Sequence, residues 1–117
     1  MKAHDERFPR TVRLTQPREF NRVFRGATIR RRHGALRLSA VANRMHSARL
    51  GLVVGKRAMS RAHERNRAKR VLREMFRRQR AALPPMDIVI QVTGDASNEA
   101  YRASFAALLA QLPTDTG

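Results

Sequence analysis

Apolar positions along the chain fall into two periods, one near 3.6 residues and one of two, and they alternate in blocks. Phe20, Val23 and Phe24 share a helical face after Thr15 and Pro17, which suit a capped first turn, and Gly26 can end that helix. Arg18, Arg22 and Arg25 lie around its other side. The run Leu36-Arg37-Leu38-Ser39-Ala40-Val41 alternates as a half-buried strand does, and Leu50-Gly51-Leu52-Val53-Val54-Gly55 is apolar enough for a central one. Asn43 to Ser47 form a polar turn between them, so the pair is expected to be an antiparallel hairpin. Residues 27–34, ATIRRRHG, read as a basic loop. From Lys56 the period returns to helical: Ala62, Ala68, Val71, Leu72, Met75 and Phe76 gather on one side, with Ser60 or a neighbour as cap and a stop before Pro84-Pro85. Asp87 to Val92 predicts a third, β-branched strand. Ser97 caps a final helix through Ala100, Phe105, Leu108, Leu109 and Leu112, ended by Pro113. The pattern therefore predicts a single α+β domain of order αββαβα.

Charge changes this picture most between Lys56 and Arg80. That stretch holds eleven Lys/Arg against Glu64 and Glu74, and Arg61, Arg65, Lys69, Arg73 and Arg77 follow at steps of four, predicting a cationic ridge opposite the buried side. Like charges at that spacing repel, and a polyanion relieves the repulsion. The chain of 117 residues carries a net charge of +16, which points to nucleic acid or an anionic surface. The excess is uneven: after Arg80 only Arg102 remains, against four acids, so the last third is expected to be scaffold. No uncharged apolar run is long enough for a transmembrane span, and no hydrophobic segment follows the charged N-terminus as a secretory signal requires. The absence of Cys removes disulfides and Cys-ligated zinc and suits a reducing cytoplasm, the expected location. Residues 1–12 read as a loosely ordered basic extension in which Phe8 is the large apolar residue, 13–113 as one folded domain, and 114–117 as a tail.

Candidate chemistry within the chain is sparse. His4, His33, His46 and His63 are scattered, no acids form a close pair suited to general acid–base work, and GLVVG matches neither a dinucleotide turn nor a phosphate loop. Catalytic and metal-binding residues are accordingly expected to be none. Gly51 and Gly55 read as strand glycines that leave room above the sheet for a helix or a nucleic-acid backbone. The positive signal is Arg65-Asn66-Arg67-Ala68-Lys69-Arg70 with Arg73: guanidinium forks grip phosphate in pairs of hydrogen bonds, Lys adds a point charge, and Asn66 can pair with a base, a ribose hydroxyl or the neighbouring backbone. A charge run is commonly just a solvated face, but here few acids exist to neutralise it. Phe20 and Phe24 suit either a core or an aromatic platform for single-stranded nucleic acid.

In these segments the chain resembles the protein subunit of bacterial ribonuclease P. The likeness rests on Arg13-Leu14, Glu19-Phe20-Asn21-Arg22-Val23-Phe24 with Gly26, and Arg49 through Arg57. It continues through Arg65 to Phe76, Leu83-Pro84 and Asp87-Ile88-Val89, with the RNR segment the most diagnostic part. The resemblance implies an α/β sandwich of order αβββαβα with a left-handed βαβ crossover. That is one strand more than the pattern yields, to be found by dividing residues 34–56 differently. It also implies a subunit that assists endonucleolytic removal of the 5′ leader of precursor tRNA, with the catalyst a partner RNA that requires Mg²⁺. Carried over, Lys56, Arg57, Arg61, Arg65, Asn66, Arg67, Lys69, Arg70 and Arg73 would serve the catalytic RNA in a 1:1 complex with a monomer. Phe20 and Phe24 would lie at a cleft for the leader. Two departures stand out: Arg61-Ala62-His63-Glu64 replaces a Gly-containing approach to the motif, and Thr93-Gly94 stands where relatives often place a basic residue. A ribosomal RNA-binding protein and a helical DNA-binding module are the rival readings, the second weakened because so uniformly cationic a helix offers few side chains that read bases.

Overall fold

The computed structural model describes residues 12–113; residues 1–11 of the basic extension, Phe8 among them, and the tail 114–117 lie outside the described residues. Its elements run α1 (Pro17–Gly26), β1 (Ile29–His33), β2 (Leu36–Ala42), β3 (Arg49–Val54), α2 (Ala62–Gln79), a 3-10 turn (Arg80–Ala82), β4 (Met86–Val92) and α3 (Asn98–Leu109). The fold is α+β, in the order αβββαβα that the resemblance implied.

The extra strand does not come from dividing residues 34–56. It is β1, inside the segment read as a basic loop, and it pairs antiparallel with β2 from Ile29↔Ala40 to His33↔Leu36. Four successive polar residues hide the period of two, because this edge strand is fixed by backbone pairing and a single apolar anchor, Ile29, that packs on the core. Gly34, at φ +57°, makes the tight turn into β2. A Cβ there would also stand 2.6 Å from Ser104 Oγ on α3, so glycine is required twice over.

The predicted β2–β3 hairpin is likewise absent. Strand order is β1-β2-β4-β3: β4 inserts between the two, antiparallel to β2 (Leu38↔Ile90) and parallel to β3 (Leu52↔Ile90). Parallel neighbours need a crossover, and α2 supplies it. β4 sits centrally with Ile88, Val89 and Ile90 fully buried, as its β-branched sequence suits.

Alternation gives the sheet two unlike faces. Leu36, Leu38, Ala40, Leu50, Ile88, Ile90 and Val92 point to one side, where Leu72 and Phe76 of α2 and Tyr101, Phe105 and Leu108 of α3 close a continuous core. α1 lies on the other side over a small cluster of Leu14, Val23 and Val89, with Phe20, Phe24, Val41 and Val53 partly buried around it. Helix starts are chemically specified. Ser97 Oγ accepts from Ala100 N at 3.0 Å, as predicted. At α1 the cap falls on Gln16 rather than Thr15: Pro17 takes the opening turn, and Glu19 reaches back to accept from Thr15 N at 2.9 Å and Gln16 N at 3.0 Å.

Candidate nucleic-acid interface

The basic stretch is divided by the fold. Lys56 and Arg57 occupy a turn after β3, closed by Ala58 N and Met59 N donating to Gly55 O at 3.2 Å each, and the helix begins only at Ala62, with Arg61 as its capping position. Lys56, Arg57 and Arg61 are exposed. Ala68, Val71, Leu72 and Phe76 form the buried side of α2, as their spacing requires. A residue turns about 100° from the last, so steps of four drift around the axis. The series therefore starts beside the core at Arg65 and winds away from it, with Arg65, Lys69 and Arg73 forming a half-buried shoulder and Arg77 half-buried beyond them, while Asn66, Arg70 and Glu74 are exposed. This corrects the expectation of a ridge standing clear of the core.

Three of these cations have structural surroundings of their own. Arg65 Nη1 donates to the carbonyls of Met59 at 2.9 Å and Ser60 at 3.0 Å, fixing the turn that leads into the helix. Burial pushes the Arg73 guanidinium below its ordinary value, and the charge of Arg13 acts in the same direction. Arg67 faces α3: it donates to Glu64 at 2.9 Å, Asp95 at 3.0 Å, the carbonyl of Ala96 at 3.1 Å and the Asn98 side chain, and lies 5.8 Å above the Tyr101 ring. Its hydrogen bond holds Glu64 below the usual carboxylate range, against the opposing effect of burial. Of the predicted RNA-facing set, Lys56, Arg57, Arg61, Asn66 and Arg70 are the most open to a partner.

A second basic surface lies on the other face of the sheet. Phe20 packs edge-on to the sheet at Gly51: a Cβ on that glycine would stand 2.7 and 2.8 Å from ring carbons of Phe20 and 3.1 Å from Leu14 Cβ. The room expected above Gly51 is thus filled by α1, whereas a Cβ on Gly55 would meet nothing within 4 Å. On the same face of the sheet, Asp87 is fully buried and accepts from Arg49 Nε and Nη2 at 2.9 Å each, from Asn43 Nδ2 at 2.9 Å, and from Arg22. Burial alone would raise this carboxyl; the hydrogen bonds from Arg49, Asn43 and Arg22 outweigh it and hold the pKa below the ordinary value. Arg49 also reaches Glu19 at 3.3 Å, so one charge cluster ties α1 to β3 and β4.

α1 is too short to cover this face entirely. Strand register sets Arg32, Arg37, Gln91 and Val53 side by side in a row beyond it, next to a row of Arg30, Ser39, Val89 and Gly51. The result is a cleft of about 410 Å³ lined by Phe24, Arg30, Arg31, Arg32, Arg37, Leu38, Ser39 and Gln91. Arg30 donates to Phe24 O at 2.9 Å, where the end of α1 offers unpaired carbonyls to a cation. Among the described residues no acid pairs with Arg32 or Arg37, although they stand directly opposite each other, an arrangement that costs stability until an anion joins them. Arg30 and Arg32 were missed as site residues because their segment reads as a loop, and Arg37 and Gln91, although on predicted strands, because their row with Arg32 exists only once IRRRH is taken as a strand paired with β2.

The described residues contain no group of three or more His, Cys, Asp or Glu that could hold a metal ion, and no helix long and apolar enough to cross a membrane. The Ribonuclease P family model matches residues 8–113. The ribonuclease P protein component of Halorhodospira halophila is 41% identical over 104 residues, covering 89% of this chain and 85% of the relative. That of Thioalkalivibrio sulfidiphilus is 40% identical over 116 residues, covering 96% and 95%. Among solved structures, the RNase P protein from Thermotoga maritima superposes with a TM-score of 0.76 at 27% identity, covering 86% of this chain and 97% of that one. The Staphylococcus aureus RNase P protein shares the fold, with a TM-score of 0.77 at 21% identity over 85% and 93% of the two chains. The chain belongs to the ribonuclease P protein family.

Proposed function

We propose that this chain is the RNA-binding protein subunit of a cytoplasmic ribonuclease P ribonucleoprotein, pairing one to one with the catalytic RNA and assisting removal of the 5′ leader from precursor tRNA. The observation that carries this reading is the presence of two basic surfaces on opposite sides of one sheet. Lys56, Arg57, Arg61, Asn66 and Arg70, with the shoulder of Arg65, Lys69 and Arg73, offer phosphate contacts to a large folded RNA, and Arg67 braces the helix that presents them. The cleft offers the aromatic edge of Phe24, with Phe20 one turn back on the same helix, the cations Arg30, Arg32 and Arg37, and the neutral pair Ser39 and Gln91, which suits a single strand.

The protein's contribution is electrostatic and positional. Cleavage of the phosphodiester belongs to the RNA, whose requirement for Mg²⁺ is lowered when protein cations neutralise phosphates nearby. Reconstitution tests this directly: added at low Mg²⁺, the protein is expected to stimulate 5′ maturation of precursor tRNA by the catalytic RNA, and no stimulation would overturn the reading. Lys69→Ala with Arg70→Ala should flatten the dependence of RNA affinity on log salt by about one unit per lost phosphate contact. Phe20→Ala should instead reduce the preference for precursor over mature tRNA. Equal loss for both substrates would return Phe20 to a purely structural part.

A further inference from the structure

α1 has an outer face that neither proposed surface uses. Arg18, Asn21, Arg22, Arg25 and Gly26 line a shallow groove of about 520 Å³ there. Arg25, in the last turn, suits the helix dipole, but the set as a whole does not suit the helix alone. Arg18 lies in the first turn, where the macrodipole disfavours a cation, and Arg18, Arg22 and Arg25 are spaced four and three apart, so they repel. The helix's acid, Glu19, is turned to its own N-terminus and to Arg49, and Asp87 engages Arg22. Among the described residues no acid meets Arg18 or Arg25. Asn21 stands among these cations with a donor and an acceptor, which suits a ribose 2′-hydroxyl beside phosphates.

Position identifies the occupant. The groove ends at Arg25 and Gly26, and the cleft on the inner side of the same helix ends at Phe24 and Arg30, whose guanidinium is bound to the Phe24 carbonyl. Both grooves thus have lining residues at the C-terminal end of α1, the neighbours Phe24 and Arg25, which puts the outer face within reach of a strand leaving the cleft there. We infer that the part of the precursor leader lying beyond the cleft wraps over α1, its phosphodiester backbone held by Arg25 and Arg18 with Asn21 between them. Arg18 and Arg25 are separated by seven residues, about 10 Å along the helix axis, enough to engage successive phosphates rather than one. This inference rests on the leader-cleft reading and adds a subsite to it.

The test uses the reconstituted holoenzyme and precursor tRNAs whose leaders are lengthened one nucleotide at a time. With wild-type protein, affinity should rise in two stages as first the cleft and then the outer groove is filled. R18Q/R25Q should keep the first stage and lose the second, weakening long-leader precursors about three- to tenfold. The salt dependence for those substrates should flatten by about 1.4 in log–log slope, about 0.7 for each single-strand phosphate contact. The thermal midpoint of the variant should change little, since both side chains are exposed and removing Arg18 from the first turn offsets removing Arg25 from the last. Equal weakening at every leader length, weakening toward mature tRNA or toward the catalytic RNA alone, or no change at all would each overturn the inference. Arg32→Gln with Arg37→Gln separates the two levels. If that cleft variant removes the first stage while R18Q/R25Q leaves the second intact, only the outer groove fails; if the cleft variant is also silent, the leader-cleft reading fails with it.

Discussion

The two faces of the sheet are built from the same four strands and do opposite things. On one, Leu38, Leu50, Ile88 and Ile90 meet Phe76, Tyr101 and Phe105 without solvent between them. On the other, ten residues of α1 cover Val89 and Gly51 and leave Arg32, Arg37 and Gln91 open. The sealed face sets stability, and the Tyr101 hydroxyl within it is satisfied by donating to the Gly94 carbonyl at 2.9 Å. The half-covered face needs a charge cluster to hold its short helix, and the unfinished coverage is what makes a groove. A domain this small can keep a basic groove because the opposite side supplies its core.

The largest expected effect lies on the sealed side. Phe76→Ala, which empties a fully buried aromatic site, should destabilise the protein by about 4 kcal/mol in denaturant unfolding. The salt slope of RNA binding by the remaining folded protein should not change, because Phe76 faces away from Asn66 and Arg70. A changed slope would mean that the two sides of α2 are not independent.

Next comes the charge cluster that holds α1. Asp87→Asn leaves Arg22 and Arg49 without their buried partner and should cost about 3 kcal/mol at neutral pH. Since Asp87 has a folded-state pKa below the unfolded value of about 3.9, its contribution is present above that pH and is lost as pH falls through the lower folded-state value. The stability gap between wild type and Asp87→Asn should therefore narrow below about pH 4. Unfolding curves at several acidic pH values check this, and a constant gap would exclude a charge-based role.

The smallest effect is the sharpest probe of the groove. Gly51→Ala places a methyl within 3 Å of the Phe20 ring and should cost about 1–2 kcal/mol, paid as a displacement of Phe20. Preference for precursor over mature tRNA should drop while affinity for the catalytic RNA alone is retained. Loss of both would show that the two surfaces communicate.

Sequence reading succeeded where a local period carries the information. The buried side of α2, the Ser97 cap and β4 all follow from spacing within one element. It failed where the determinant is distant. β1 has one apolar anchor and is defined by its pairing with Leu36 to Ala40, and β2 and β3 look like a hairpin until β4, about forty residues later, separates them. The site shows the same division. The RNR segment is legible from charge and spacing, but Arg67's turn toward α3 depends on Asp95 and Asn98, and the cleft arginines depend on a strand that charge conceals.

The central place of β4 has a consequence for synthesis. β2 can pair early with β1, but the strands β2 and β3 are joined only through β4, so neither the core nor the seat of α1 on Val89 can be completed until residues 86–92 have left the ribosome. By then every lysine and arginine except Arg102 has already been made. The nascent chain is thus strongly cationic before it is folded, in the presence of abundant ribosomal RNA, and its non-local pairing makes that interval longer than a locally wired fold of this size would need.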